Sequence, residues 1–205
     1  HGVATISKFP FQNVDRIEFC GKGDTRHIST TFDGKTHPAL QDVTLHNFYV
    51  PAGGDKPDLK ANEKFAHKRD FLAEMSDWST GQRETGKAIL VGDLNIAPLE
   101  TDVWSHKQLL KVVSHTPEEV EWLNKVQNDG RWVDVVRQHI DPEEKLFTWW
   151  SYRSPDWEKA DKGRRLDHVS ASPEVANRSQ SVAVLKEVRG WDKPSDHAPI
   201  MTTLA

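Results

Sequence analysis

The chain has 205 residues, of which 36% are hydrophobic and 28% charged, an ordinary composition for a globular protein. This length suffices for a substantial core, and we expect residues 1–205 to form a single domain. The formal net charge of −4 argues against a general nucleic-acid binder, although a local basic surface or bound cations can reverse the field at a site.

Cysteine content and hydropathy exclude other classes of protein. Cys20 is the single cysteine, so the chain has no internal disulfide. No apolar run approaches the roughly 20 residues of a membrane span, and residues 1–15 lack a signal-peptide pattern. We therefore expect a cytoplasmic protein, monomeric and without a membrane partner.

Strand-like segments dominate the first fifty residues. They are rich in β-branched and aromatic residues and are interrupted by Gly, Asp and Pro, which predicts an antiparallel sheet. The segments are GVATIS (2–7), RIEFCG (16–21), HISTTFD (27–33) and VTLHNFYV (43–50).

A helix is predicted after the loop PAGGDKPD (51–58). Apolar residues there recur at the spacing of one helical stripe, with charged residues on the other side, so the helix should pack on a sheet. The stripe consists of Phe65, Phe71, Leu72, Met75 and Trp78.

The middle of the chain predicts a central strand and a second helix. AILVGDLN (88–95) is almost continuously apolar, as in a strand buried on both faces. Thr116, Pro117 and Glu119 supply an N-cap, a first-turn proline and a capping-box partner, and Gly130 follows the apolar residues of that helix. The last third returns to strands, predicted at LFTWWSYR (146–153), RLDHVSAS (165–172), SVAVLKEV (181–188) and DKPSDHAPIMTTL (192–204).

Polar side chains follow apolar strand residues at four places, each where a strand passes into a loop. Asp93 and Asn95 are two residues apart, so on an extended strand they project from one face. Loops at sheet ends are where a rigid scaffold gathers polar groups from distant parts of a chain. The complete set is Tyr49, Asp93, Asn95, Asp167, Asp196 and His197.

These residue types predict a metal-assisted reaction at phosphorus. Carboxylates that are brought together repel one another unless a cation or a shared proton lies between them. An oxygen-rich set without a cysteine pair suits Mg²⁺ or Mn²⁺, and the usual task of such an ion is to stabilise charge on a phosphate.

Each residue also has a structural interpretation when it is taken alone. Asp93 and Asn95 can cap a turn, and Asp196 can initiate one. Tyr49 can be an aromatic residue at the edge of the core, and His197 a buried histidine with no chemical role. Asp167 can form a structural ion pair with Arg164 or Arg165. It is their joint occurrence that favours a site.

Five stretches in this order resemble the exonuclease III type of apurinic/apyrimidinic endonuclease, within the endonuclease/exonuclease/phosphatase superfamily. They are NFYVPAGG (47–54), LVGDLNIAP (90–98), FTWWSYR (147–153), RRLDHV (164–169) and SDHAPI (195–200). The resemblance extends from residue 2 to the last strand. It implies an α/β fold, a four-layer sandwich of two packed, mainly antiparallel sheets flanked by helices.

The resemblance also implies an activity. It is Mg²⁺- or Mn²⁺-dependent repair of double-stranded DNA, with cleavage 5′ to abasic sites and 3′-to-5′ exonuclease action at 3′ ends. Asp93 resembles the residue that orients or deprotonates the attacking water, and Asn95 the one that holds water and phosphate. His197, oriented by Asp167, and the phenol of Tyr49 resemble groups that contact the phosphate. The metal ligands implied are Asp93, Asn95, Asp196 and His197.

The same resemblance implies contacts with DNA from Trp149, Tyr152, Arg153 and Lys64. Trp149 would line the pocket for a flipped abasic sugar. Trp149 and Trp150 are adjacent on a strand and point to opposite faces, so one of them should be core. The structural alternatives are packing of an aromatic cluster and, for the basic run 63–69, a solvated surface.

Two positions depart from the family pattern. Ala52 stands where members often carry an amide, and an opening strand with an asparagine and a metal-binding glutamate is absent ahead of GVATIS. We therefore expect an N-terminally truncated form of the fold, lacking its first strand. Two other functions remain open: hydrolysis of a phosphoester other than DNA on the same scaffold, and DNA binding without catalysis.

Overall fold

The structure, a computed structural model, describes residues 2–35, 37–83 and 86–205. A six-stranded sheet forms its centre, with the strand order β1-β2-β3-β4-β8-β5. Its strands are β1 (Phe11–Asp15), β2 (His27–Phe32), β3 (Thr44–Tyr49), β4 (Ala88–Asp93), β5 (Val133–Asp134) and β8 (Asp167–Ala171). Strands β3 and β4 are parallel, and the other neighbours in this sheet are antiparallel.

The remaining described strands form two antiparallel pairs. One pair is β6 (Trp149–Trp150) with β7 (Gly163–Arg164), and the other is β9 (Ser179–Val184) with β10 (Ile200–Leu204).

Two long helices and four short ones complete the described elements. The helices are α1 (Glu63–Gln82), α2 (His106–Leu109), α3 (Pro117–Gly130), α4 (Val135–His139), α5 (Trp157–Ala160) and α6 (Pro173–Ala176). Short 3-10 turns lie at Pro38–Leu40, Glu100–Asp102 and Lys186–Gly190. None of the described helices has both the length and the apolar character that crossing a lipid bilayer requires.

The main core lies between the six-stranded sheet and helices α1 and α3. The predicted stripe on α1 faces this core, with Phe71, Leu72 and Met75 fully buried against Leu90 of β4. Side chains of β4 alternate, so Ile89 points to the opposite face of the sheet. There it packs with residues of β8, β9 and β10, which places the pair β9-β10 on that face. This is the predicted mixed α/β arrangement of sheets flanked by helices.

The strands predicted at 2–7 and 16–21 are wrong. Residues 2–7 form no strand, and a hydrogen bond from the Asn47 side chain to the Ala4 carbonyl is one link that holds them. In the second segment Cys20 and Gly21 have positive φ angles (61° and 56°), which a strand does not tolerate. The first strand is instead β1, where no strand was predicted.

Four later strands are shorter than predicted, among them β8, which covers Asp167–Ala171 of segment 165–172. Only Trp149 and Trp150 of segment 146–153 pair as a strand, and only Ile200–Leu204 of segment 192–204 does so. Strand β9 ends at Val184 because the chain turns into a 3-10 helix at Lys186–Gly190. These shortened strands leave the loops around His197 free to reach the end of the central sheet.

Candidate active site

Three strands of the central sheet end at the same place. Tyr49 of β3 pairs with Asp93 of β4, and Asp93 pairs with Asp167 of β8. Directly paired residues project from the same face of a sheet. The phenol and the two carboxylates therefore lie side by side, on the face toward β9 and β10.

Asn95 reaches Asp93 through a turn rather than through strand alternation. Strand β4 ends at Asp93, and Asn95 has a left-handed backbone (φ 55°). Its backbone N–H donates to Asp93 Oδ1 (2.9 Å), and its side-chain Nδ2 donates to Asp93 Oδ2 (3.0 Å) and to the Val50 carbonyl (2.9 Å). The predicted pairing of the two side chains is thus observed, but the reason given for it was wrong. Because Nδ2 already donates both of its hydrogens, Oδ1 is the atom of this amide that remains available to bind a cation or a donor.

His197 is held by Asp167. Its Nδ1 lies 2.8 Å from Asp167 Oδ2, which also accepts a hydrogen bond from the Thr148 hydroxyl (2.6 Å). That hydroxyl oxygen accepts the backbone N–H groups of Leu166 and Asp167, so the carboxylate, the hydroxyl and the ring form one fixed unit. Burial disfavours the imidazolium, but the hydrogen bond and charge of Asp167 outweigh it and raise the pKa of His197 to about 9.

The surroundings of Asp93, in contrast, favour the uncharged form of its side chain. Burial, and next the charge of Asp167, raise the pKa of its carboxyl group to about 7. His197 Nε2 lies 3.9 Å from Asp93 Oδ2. A carboxyl group that titrates near neutrality thus faces an imidazolium, an arrangement that suits proton transfer.

Asp93, Asp167 and His197 form a compact cluster, in which the two carboxylates could hold a cation. One ligand atom from each lies within 4.8 Å of the others. Carboxylate oxygens, together with the free Oδ1 of Asn95, are the ligands that hard divalent ions prefer. Asp196 precedes His197 in the chain but does not belong to this cluster; its Oδ2 accepts a hydrogen bond from the indole of Trp149 (2.9 Å).

The structure separates the roles of the two tryptophans. Trp150 is core, with 2% of its surface exposed, whereas Trp149 is half-buried beside the site and forms a backbone bridge with His197. The guanidinium of Arg164 lies 5.4 Å from the Trp149 ring centre. A cleft of about 490 Å³ opens beside Asp167 and His197, and its lining comes from β4, β8 and the segment 195–200, without Trp149.

The remaining predicted DNA contacts lie at the surface. Tyr152 is 61% exposed, and its hydroxyl donates to the Pro194 carbonyl (2.7 Å) in the loop before His197. Arg153 is exposed in the turn that follows, and Lys64 is exposed in the first turn of α1. Of these three side chains, Tyr152 is the one that the structure links to the loop of His197.

The structural interpretation of Asp167 is excluded. Arg165 is fully buried and pairs with Asp102 (2.8 Å) and Asp134 (2.8 Å). Arg164 donates instead to the Val113 carbonyl and the Ser114 hydroxyl. Neither arginine pairs with Asp167, which is hydrogen-bonded to His197 instead.

Sequence reasoning missed three contributors. Thr148 lies within the aromatic motif FTWWSYR, and its hydroxyl, directly before Trp149, is the feature of the sequence that could have indicated a role. Arg26 lies beside Tyr49, with its guanidinium 5.0 Å from the ring centre and a hydrogen bond to the Tyr49 carbonyl (3.2 Å). Lys68 lies in the basic run 63–69, yet its side chain is fully buried.

Comparison with known proteins gives consistent results. The model of the endonuclease/exonuclease/phosphatase family matches residues 1–197. Exodeoxyribonuclease III of Haemophilus influenzae is 31% identical over 208 residues, which cover 98% of this chain and 75% of that protein.

Solved structures agree with the sequence comparison. The 3′ phosphatase NExo from Neisseria, bound to a product DNA hairpin, has a TM-score of 0.83 at 27% identity, covering 97% of this chain and 73% of that one. An AP endonuclease from Archaeoglobus fulgidus has a TM-score of 0.83 at 25% identity, covering 97% and 72%. The chain therefore belongs to the endonuclease/exonuclease/phosphatase family.

Proposed function

We propose that the chain is a divalent-metal-dependent nuclease of DNA repair, which hydrolyses the phosphodiester bond 5′ to abasic sites and removes nucleotides from 3′ ends of duplex DNA. The observation that carries the proposal is the convergence of Asp93, Asn95, Asp167 and His197 at one end of the central sheet. The names of the similar exodeoxyribonuclease III, 3′ phosphatase and AP endonuclease support this class of substrate.

Asp93 is assigned to the attacking water. Its pKa of about 7 lets the carboxylate accept a proton near neutral pH. Asn95 holds this carboxylate by two hydrogen bonds, so its direction is fixed before substrate arrives.

His197 is assigned to the phosphate. With Nδ1 bound to Asp167, the ring presents Nε2–H toward Asp93 and the cleft, where it can donate to a phosphate oxygen. Since an imidazolium has no lone pair to offer, this role replaces the metal-ligand role implied for His197. Tyr49 adds a second donor from the neighbouring strand.

A divalent cation fits the donor set. Mg²⁺ or Mn²⁺, when bound, would neutralise charge on the phosphate. Asp93, Asn95 through Oδ1 and the carboxylate of Asp196 would hold it. The raised pKa of Asp93 beside Asp167 supports this assignment, because a nearby cation relieves the repulsion between two carboxylates.

DNA is assigned to the surface around the cluster. Trp149, beside His197, would contact the sugar at the scissile bond, and Tyr152 and Arg153 would contact the strand beyond it. Arg26 lies beside Tyr49 and Lys64 beside Gly54 in the loop after Tyr49, and these cations would favour contact with the phosphate backbone.

The test uses duplex oligonucleotides that carry a stable abasic analogue, a recessed 3′ end or a 3′-phosphate. We expect cleavage with Mg²⁺ or Mn²⁺ and none with EDTA. Asp93→Asn should lower kcat by about 10³-fold or more, since it removes a base and a metal ligand together. Asp70→Asn is the matched control, because Asp70 is an exposed acid on α1.

Three outcomes would contradict the proposal. Cleavage that persists in EDTA would exclude the metal. Hydrolysis of small phosphoesters without action on any DNA substrate would favour a different phosphoesterase activity on the same scaffold. Binding of abasic duplex without cleavage, with either metal, would favour a DNA-binding protein without catalysis.

A further inference from the structure

A buried ion pair lies directly behind the candidate site. Lys68 of α1 and Glu119 of α3 are both fully buried, and Nζ lies 2.5 Å from Oε1. Removing two charges from water is expensive, and such a pair is weak evidence for stability. Glu119 also completes the capping box of α3 with Thr116, but a capping box needs no lysine. The contacts of the Lys68 ammonium indicate a different role for this ion pair.

The three N–H groups of Lys68 reach acceptors in three different segments. They are the carbonyl of Asn95 (2.8 Å), the carboxylate of Glu119 (2.5 Å) and the carbonyl of Ala52 (3.4 Å). Ala52 belongs to the loop after β3 and Asn95 to the loop after β4. One buried cation therefore ties together the two loops that follow Tyr49 and Asp93, the second of which contains Asn95.

The position of the cation is fixed from α3. The carboxylate of Glu119 accepts hydrogen bonds from the backbone N–H groups of Ser114 and Thr116 and from the Thr116 hydroxyl. Both carboxylate oxygens of Glu119 are thus held in place by these donors, so the Lys68 ammonium that pairs with them has little freedom to move. This rigidity is transmitted to the Asn95 carbonyl, and the left-handed backbone of Asn95 turns its side chain to Asp93.

We propose that Lys68, fixed by Glu119, is a positioning residue that sets Asn95 and Asp93 in place against the loop after β3. The inference rests on the proposed function for its kinetic consequence. Because the Lys68 side chain is fully buried, it acts through the backbone of Asn95. A displacement of about 1 Å at a catalytic group can cost on the order of 10²-fold in rate, so the effect should be visible in turnover.

The experiment compares Lys68→Met/Glu119→Gln with the parent chain. The double variant removes both charges, so no buried charge is left unpaired, and Gln keeps an acceptor for Ser114 and Thr116. We expect kcat to fall about 10²-fold with KM within about threefold, and the urea midpoint to stay near that of the control. The control is Lys125→Met on α3, which breaks a more exposed Lys125–Asp129 pair outside the candidate site. Parental kcat in the double variant would overturn the proposal.

A second readout separates this inference from the proposed function. Hydrogen exchange of the Asn95 side-chain amide, followed by NMR, should accelerate at least tenfold in the double variant, while exchange of the Trp132 indole, bonded to Ser79 in the core, stays parental. If the parent chain cleaves no DNA, the proposed function fails and this measurement still decides. Unchanged Asn95 exchange refutes positioning by Lys68. Should the double variant not fold, Lys68→Gln/Glu119→Gln, which also leaves no buried charge unpaired, is measured with the same criteria.

Discussion

At the scale of single residues, the candidate site depends on neighbouring carboxylates with different surroundings. Asp93 and Asp167 are paired across two strands, yet Asp167 is bound by Thr148 and His197. The pKa of Asp93 rises to about 7, whereas the bond to Asp167 raises the pKa of His197 to about 9. Groups whose pKa values are pushed apart in this way can divide proton acceptance and donation between them.

Gly92, the residue before Asp93, allows β4 to approach β3 closely. Its φ of 137° is a backbone conformation that favours glycine, and a Cβ atom there would lie 1.9 Å from the Phe48 carbonyl oxygen. We predict that Gly92→Ala lowers the free energy of unfolding by roughly 2–5 kcal/mol, from backbone strain and steric overlap. Urea denaturation measures it.

Gly81→Ala is the matched control for Gly92. Gly81 lies in α1 with nothing within 4 Å of an added Cβ, so alanine should stabilise the chain by about 0.5–1 kcal/mol. Equal small effects of the two substitutions would contradict the assigned role of Gly92.

The chemistry of the site could be predicted from residue types, but its connections could not. Asp93, Asn95, Asp167 and His197 were identified because each follows an apolar strand. Thr148 and Lys68 were not, because a hydroxyl and a lysine become informative only when their partners are known. Lys68 shares a basic run with exposed residues, and only packing distinguishes it from them.

At the scale of elements, the helices were predictable because their signals are local. The capping box of α3 spans four consecutive residues, and the stripe of α1 repeats every third or fourth position. Strands depend on partners that are distant in the sequence. GVATIS has the composition of a strand, yet residues 2–7 form no ladder, while the polar segment Phe11–Asp15 pairs with β2.

Asn62 links an element to the site and gives a prediction at this scale. Its side-chain oxygen accepts the N–H groups of Lys64 and Phe65, which caps α1, and its Nδ2 donates to the carbonyls of Gly53 and Lys56 in the loop after β3. We predict that Asn62→Ala lowers the free energy of unfolding by about 2 kcal/mol, one part for the cap and one for the loop.

Asn62→Ser distinguishes the two parts. Serine keeps the cap but cannot reach both loop carbonyls, so it should cost about 1 kcal/mol. Ser105→Ala at the start of α2 is the control, because Ser105 makes no side-chain cap hydrogen bond and should cost little. Thermal unfolding of the three variants checks the order, and an Asn62→Ser variant as unstable as Asn62→Ala would refute the division.

At the scale of the whole molecule, distant segments fix one another's protonation. His27 of β2 and His46 of β3 are buried together beneath Trp78 of α1. The N–H of Ile17 donates to His27 Nδ1 (3.0 Å), so the proton of His27 is on Nε2, which lies 3.1 Å from His46 Nδ1. Both rings are neutral in this arrangement. Such a pair is invisible in the sequence, since it requires the register of two strands and the packing of a helix.

The pair predicts loss of stability in acid. Burial lowers the pKa of His27 to about 4, against a small opposing effect of Asp15, and burial and the charge of His27 lower the pKa of His46 to about 3. The unfolded chain binds protons at these rings from about pH 6.5 downward, and the folded chain does not. The free energy of unfolding should therefore be constant above pH 6.5 with respect to this pair and fall by about 6 kcal/mol, about 3 kcal/mol for each ring, between pH 6.5 and 4.

Urea denaturation across this pH range, compared between variants, isolates the contribution of the pair. His46→Met removes one titrating ring and leaves the other without its acceptor, so we expect lower stability at pH 7 but a slope with pH that is shallower by about 3 kcal/mol over the interval. Gln138→Met, at an exposed position on α4, removes no titrating group and should keep the parental slope. A parental slope in His46→Met would show that His46 binds its proton over the same pH range in the folded and the unfolded chain, and the neutral, buried pair would then be refuted.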